Sequence, residues 1–270
     1  MNRLFKPSLR HAIFLLLATL LAACLPARAA DEPPAEPLPV TVFQNLDAGK
    51  KQTVIVYGTS LTAAAAWPKG LQAYFDKAYP GLVTFLNTAQ SGQESNWGAA
   101  NLPERVLSKN PDLVFLEFSV NDAATKHHIS LEKSEANLDA MVKALRAQNP
   151  NVDIVLQTMN PAWDSPAEPS HKKYASDRPH LADYYEVYRK YAQANALPLV
   201  DHYPVWLKLQ QQDPAKFQAW LPEGLHPIPE ASLAVTLPAI EALLDQARAA
   251  DQPLHTPINS PHQSEPASSP

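Results

Sequence analysis

Five short apolar runs, separated by stretches with helical spacing, constrain this 270-residue chain more than any other feature. They lie at 53–57 (TVIVY), 82–86 (LVTFL), 112–118 (DLVFLEF), 152–157 (VDIVLQ) and 197–200 (LPLV). Runs with so little polar alternation suit strands that are buried on both faces. Between them, Leu71, Tyr74, Phe75 and Ala78 share one helix face, and a second helix takes in 102–107. Leu138, Met141, Val142 and Leu145 mark a third helix over 131–148, which stops before Asn149-Pro150. A Tyr-rich helix is expected over 181–196 and a last one over about 232–248. This alternation predicts an α/β fold, a three-layer α/β/α sandwich around a five-stranded parallel sheet. In such sheets a ligand lies beyond the carboxyl ends of the strands, so those loops are where chemistry is to be sought.

The ends of the chain read differently. Arg3, Lys6 and Arg10 precede an apolar run at 12–21 and then small residues, the layout of a secretory signal peptide. The run is too short for an ordinary spanning helix, which needs about 20 residues. Two cleavage readings stand. Ala27-Arg28-Ala29 fits a signal peptidase site, giving a signal peptide over 1–29 and a soluble exported protein. Leu21-Ala22-Ala23-Cys24 is similar to a bacterial lipobox, in which Cys24 is acylated and tethers the chain to the membrane. The plainer reading of Cys24 is a small residue in an apolar stretch. The expected location is exported and periplasmic, with a lipid anchor in the outer membrane under the second reading. Residues 30–40, with DEPPAEPLP, read as a Pro-rich tether, and 251–270 as a disordered tail. That leaves 41–250 as one folded domain, and 46% hydrophobic residues supply it with a core. Cys24 is the sole cysteine, so no intramolecular disulfide and no thiolate metal cluster can form. The net charge of −5 comes without a concentrated basic run, so no nucleic-acid partner is expected.

Four loops carry groups of chemical interest. Gly58-Thr59-Ser60-Leu61-Thr62 follows the first strand and opens a helix, where developing negative charge is favoured. Ser60 there is either a nucleophile or a helix N-cap. Gly92, in the loop after the second strand, either makes a turn or lets a backbone N–H approach a ligand. Asn121, in Ser119-Val120-Asn121-Asp122 after the third strand, is a turn residue or a side-chain donor aimed at an oxyanion. Glu223-Gly224-Leu225-His226 precedes the last helix, and a carboxylate three residues ahead of a histidine can orient its ring. His127, His128, His171, His180 and His202 lack such a neighbour and read as surface or scaffold, and no zinc-binding spacing is present.

Taken in chain order, these loops resemble the four blocks of the SGNH (GDSL-like) hydrolases: Ser60 in GTSLT, Gly92 in AQSGQES, Asn121 in SVND and His226 in EGLHP. The resemblance spans nearly the whole folded unit and implies a flavodoxin-like sheet. It further implies a serine esterase with Ser60 as nucleophile, His226 as base and Glu223 as acid. The oxyanion hole would consist of the Ser60 and Gly92 N–H groups and the Asn121 side chain. That chemistry calls for no cofactor and no metal. Three positions depart from the family pattern: Thr59 for aspartate, Ser119 for a glycine, where it is expected to narrow the site, and Glu223 for aspartate. The implied substrate is a short acyl ester, acetyl first, of a glycan or another small ester, with lipid- and aryl-ester-directed members also in the family. Trp67, Trp97 and Trp163 would either stack on sugar rings or serve as core and rim residues. An envelope O-acetyltransferase using the same triad, or a non-catalytic envelope binding module, are the competing expectations.

Overall fold

The computed structural model describes residues 37–251. The expected signal peptide, Cys24, the tether up to residue 36 and the tail from residue 252 lie outside the described residues. Five parallel strands, β1 (Gln52–Gly58), β2 (Val83–Asn87), β3 (Leu113–Glu117), β4 (Asp153–Gln157) and β5 (Leu199–Val200), form one sheet in the order β2-β1-β3-β4-β5. This is the flavodoxin-like order, with its switch of direction at β1 and β3.

Because successive side chains of a strand point to opposite faces, the apolar runs divide between two cores. Ile55, Tyr57, Val114, Leu116, Ile154 and Leu156 meet Leu102, Leu138, Met141 and Tyr188 from α4 (Ser95–Arg105), α6 (Leu131–Gln148) and α7 (Leu181–Ala194). Val54, Val56, Leu113, Phe115 and Val155 meet Phe43, Leu71, Phe75 and Leu244 from α1 (Thr41–Asp47), α3 (Trp67–Ala78) and α11 (Leu237–Asp251). The three layers expected from the sequence are therefore present, with a packed apolar layer on each face of the sheet.

Several elements differ from expectation, each for a local reason. The second expected helix runs from Ser95, where the Glu94 carboxylate accepts the Asn96 and Trp97 amides at 2.5 and 3.1 Å and caps it, and stops at Arg105, two residues short of the expected stretch. Helix α1 was not foreseen; Asp153, at the start of β4, accepts the Val42 amide at 2.7 Å and holds it on the sheet. Residues 37–40, assigned to the tether, lie against the fold, with Leu38 and Val40 packed on the second core. Helices α8 (Tyr203–Gln212) and α9 (Pro214–Trp220) also went unread, although Asp213 followed by proline is an N-terminal signature. They build a separate cluster from Trp206, Phe217 and Leu221, against which Trp163 packs. The final helix starts as α10 (Pro229–Ala231) and passes through a π-helical stretch, Ser232–Thr236, before α11.

Candidate active site

Parallel pairing sets the strand ends side by side: Gly58 is opposite Glu117, and Val56 is opposite Asn87. The loops that leave β1, β2 and β3 are then tied to one another. Gln90 N donates to Gly58 O at 3.0 Å, and Thr59 N donates to Glu117 Oε1 at 2.6 Å. In the third loop, Asn121 Nδ2 donates to Gln93 O at 2.8 Å.

Ser60 is the first residue of α2 (Ser60–Ala63), and its hydroxyl does not cap the helix. The cap is Thr59, whose Oγ1 accepts the Leu61 amide at 3.2 Å. Freed from that duty, Ser60 Oγ lies 2.8 Å from His226 Nε2, and His226 Nδ1 lies 2.8 Å from Glu223 Oε1. The same oxygen accepts the backbone amides of His226 and Leu225, so the carboxylate holds both the ring and the loop that bears it. Burial pushes the Glu223 carboxyl up, but the His226 ring and amide, with the Leu225 amide, outweigh it and hold the group below its ordinary value. The longer side chain at 223 therefore still reaches the imidazole. A hydroxyl, an imidazole and a carboxylate joined in this way can move a proton from Oγ to Nε2 while the carboxylate stabilises the imidazolium.

The 221–226 loop is clamped from outside by residues that follow β4. Trp163 N donates to Gly224 O at 2.9 Å and Trp163 Nε1 to Leu221 O at 2.7 Å. Ser165 Oγ donates to Pro222 O at 2.6 Å and Asn160 Nδ2 to Leu225 O at 2.7 Å. Gly224 has φ +109, and a Cβ there would stand 2.2 Å from Trp163 O, so only glycine fits between the clamp and the histidine. Tyr174 packs edge-on against His226, with ring centroids 6.1 Å apart.

Gly92 has φ +77 and a Cβ there would meet nothing within 4 Å, so backbone conformation rather than crowding selects glycine. Among the described residues, the backbone N–H groups of Ser60 and Gly92 donate to no protein acceptor. Asn121 sits in α5 (Ser119–Asp122), 4% exposed, with its Oδ1 receiving Arg178 Nη2 at 3.3 Å. The five residues singled out from sequence thus fall on loops and short helices at one end of the sheet, three of them in direct hydrogen-bond contact; Cys24 is outside the described residues.

One expectation is corrected, and one open choice resolves towards the core. Ser119 is fully buried with its hydroxyl unpartnered, so it lines the core rather than narrowing the opening. Trp67 is fully buried and gives its Nε1 hydrogen to Leu61 O at 2.8 Å, so it cannot stack on a sugar. Trp97 is half-buried beneath the Arg105 guanidinium, 4.8 Å from its ring centroid. A groove of about 570 Å³ between Ala66, Pro68, Phe85 and Pro229 includes none of the Ser60, His226 or Glu223 side chains.

Sequence reading missed Glu117 and Arg178. Glu117 is fully buried beneath the Ser60 loop, where it accepts Thr59 N, Thr59 Oγ1 at 2.9 Å and Thr62 Oγ1 at 2.7 Å. Burial pushes its carboxyl up to about 7, with the Thr62 and Thr59 hydrogen bonds opposing. The hydroxyl at 59 gives this carboxylate a donor, which accounts for threonine beside the nucleophile candidate. A lone carboxylate closing an otherwise apolar strand was the signal available for Glu117. Asp122 likewise serves structure: it accepts Ser95 N at 2.8 Å and Ser134 Oγ at 2.5 Å, and burial pushes it up to about 6.

Comparison with known proteins gives the family of the chain. The model of the GDSL-like lipase/acylhydrolase family matches residues 55–234. The chain is 28% identical over 191 residues to an arylesterase of Vibrio mimicus, covering 67% of this chain and 82% of that protein. It is 26% identical over 193 residues to the isoamyl acetate-hydrolyzing esterase 1 homolog of Homo sapiens, covering 66% and 76%. In structure it is similar to an acetylxylan esterase from Geobacillus stearothermophilus, with a TM-score of 0.59 at 18% identity over 72% of this chain and 94% of that one. A lipase/acylhydrolase from Enterococcus faecalis gives 0.56 at 21%, covering 71% and 95%. The chain belongs to the GDSL-like lipase/acylhydrolase family, the SGNH hydrolases. It is a hydrolase that acts on ester bonds.

Proposed function

We propose that the chain is an exported serine esterase that removes short acyl groups, acetyl first, through Ser60, His226 and Glu223. The observation that carries this reading is the unbroken line of two 2.8 Å contacts, Ser60 Oγ to His226 Nε2 and His226 Nδ1 to Glu223 Oε1. As Oγ forms its bond to the ester carbonyl carbon, its proton passes to Nε2, and Glu223 stabilises the imidazolium. The carbonyl oxygen becomes an oxyanion that meets the Ser60 and Gly92 N–H groups and Asn121 Nδ2. Collapse breaks the bond to the alcohol, which leaves with the proton from Nε2. Water, deprotonated by His226, then releases the acid from the acyl-enzyme and returns the proton to Ser60.

Acetyl as the preferred acyl group is supported by the acetate ester for which the human relative is named. The alcohol portion is a small alcohol or an acylated glycan, and a substrate panel separates the two. The location follows from the charged, apolar and small-residue segments at 1–29: periplasmic, either soluble or anchored to the outer membrane through Cys24. Metabolic labelling with a fatty-acid analogue separates these two forms.

The test is release of p-nitrophenol from acetyl, butyryl and longer esters by the wild type and Ser60→Ala. Turnover that is highest on acetyl and lost in the variant is expected. Equal turnover by both proteins would remove Ser60 from the mechanism, and a folded wild type silent on every ester would move the acyltransferase and binding-module readings ahead.

A further inference from the structure

The long connection between β4 and α7, residues 158–180, brings a cation to the third loop. Arg178 is 6% exposed, and its hydrogen-bond partners are all neutral oxygens. Nε donates to Val120 O at 2.8 Å, Nη2 to Asn121 Oδ1 at 3.3 Å and Nη1 to Tyr174 O at 3.3 Å. The guanidinium also lies 5.4 Å from the centroid of the Tyr174 ring. Among the described residues it forms no ion pair. Asp177 and Glu223 act on it only through longer-range charge, desolvation by burial being the largest influence. A buried guanidinium with no carboxylate in contact is a costly arrangement, and here it is directed at the residue read as an oxyanion donor.

We infer that Arg178 is a positioning residue for Asn121: it fixes which end of the carboxamide faces the reacting carbonyl and polarises the N–H that meets the oxyanion. The two ends of a carboxamide are nearly the same shape, so hydrogen-bond partners must choose between them. Arginine has donors only, so the end facing Arg178 is the oxygen. Gln93 O can only accept, so the opposite end is the NH2. Of its two hydrogens, one is spent on Gln93 O at 2.8 Å, which leaves the other for an oxyanion. The positive charge at Oδ1 draws electron density from Nδ2 and makes that remaining hydrogen a stronger donor. Because Val120 and Asn121 are consecutive, one planar fork holds both the backbone and the side chain of the third loop. The compact ammonium of lysine cannot reproduce that pattern.

This inference rests on the oxyanion role of Asn121 in the reading above, so the two are tested together. Hydrolysis of p-nitrophenyl acetate is measured for the wild type, Asn121→Ala, Arg178→Gln, Arg178→Lys and the Asn121→Ala/Arg178→Gln double variant, with a thermal melt of each. Asn121→Ala is expected to lower kcat by about 10²–10³. Arg178→Gln is expected to lower kcat by about 10- to 100-fold with little change in KM, because only one donor is weakened. Arg178→Lys should recover part of that loss. The decisive outcome is the double variant, expected within about twofold of Asn121→Ala alone, since a residue that acts through Asn121 has nothing left to position. Losses that multiply in the double variant would make Arg178 a structural residue and overturn the inference. So would an Arg178→Gln enzyme with wild-type kcat beside a slow Asn121→Ala, leaving the oxyanion assignment intact. Full turnover by Asn121→Ala would overturn both. If Arg178→Gln does not fold, Arg178→Lys carries the same cycle: its loss must vanish in the Asn121→Ala background.

Discussion

Replacing Glu117 with glutamine should change how stability depends on pH, in a direction fixed by burial beneath the Ser60 loop. In the folded chain burial raises this carboxyl from 4.5 to about 7, and unfolding returns it to the lower value. Between those values the folded state binds the proton more tightly than the unfolded state does. The contribution of Glu117 to stability is therefore fully present below about pH 4.5 and is lost as the pH rises through about 7. At about 1.36 kcal/mol per unit the full effect is about 3 kcal/mol, of which about 2.5 kcal/mol falls between pH 5 and pH 8. Glu117→Gln removes the titration and keeps the shape. Its carbonyl oxygen can accept the Thr59 amide, while its NH2 can donate to a threonine hydroxyl, which also accepts. Asp153, raised to about 6 by burial first of all, titrates in both proteins and cancels from the difference. Asp122, also raised to about 6, adds to the Glu117 shift through its charge and is part of the effect. Urea denaturation at about pH 5 and about pH 8 should thus show the variant gaining about 2.5 kcal/mol on the wild type over the interval. A difference that stays constant within about 0.5 kcal/mol would mean that Glu117 titrates like an exposed carboxyl, and the account of burial outweighing its threonine donors would fall.

Two further substitutions probe the histidine loop. Glu223→Gln keeps an oxygen for the His226 and Leu225 amides but removes the charge that stabilises the imidazolium, so kcat on p-nitrophenyl acetate should fall on the order of 10³–10⁴-fold with the melting temperature little changed; a loss below about tenfold would remove Glu223 as the acid. Gly224→Ala forces a Cβ against Trp163 O at positive φ, and should cost about 2–4 kcal/mol, read as a fall of roughly 5–12 °C in the melting temperature. An unaltered melt would show that the Trp163 clamp gives way freely.

What the sequence discloses about this molecule follows from the range over which each feature is determined. The strands and the four loops were legible because a strand end and the residue just beyond it are local. The apolar run in DLVFLEF fixes where β3 stops, and SVND must then stand at the carboxyl edge of the sheet. The helix signals at Asp213-Pro214 and Glu94 were local too, yet the first sits in a stretch of mixed spacing and the second precedes an apolar pattern broken by Pro103. Other features depend on pairs that the sequence holds far apart. Two adjacent hydroxyl residues, Thr59 and Ser60, could each cap α2, and the choice is made from another strand: the β1–β3 register sets Gly58 opposite Glu117, whose carboxylate engages Thr59 and leaves Ser60 Oγ to His226. Arg178 was invisible for the same reason, because its meaning comes from residues 158–180 folding back on Val120 and Asn121. Residue types at the strand ends therefore name the chemistry, while the groups that aim those residues come from pairing and from a long connection whose course no spacing rule predicts. The Ser60 hydroxyl meets His226, and does not cap α2, because a buried carboxylate on a neighbouring strand holds Thr59 in the capping position.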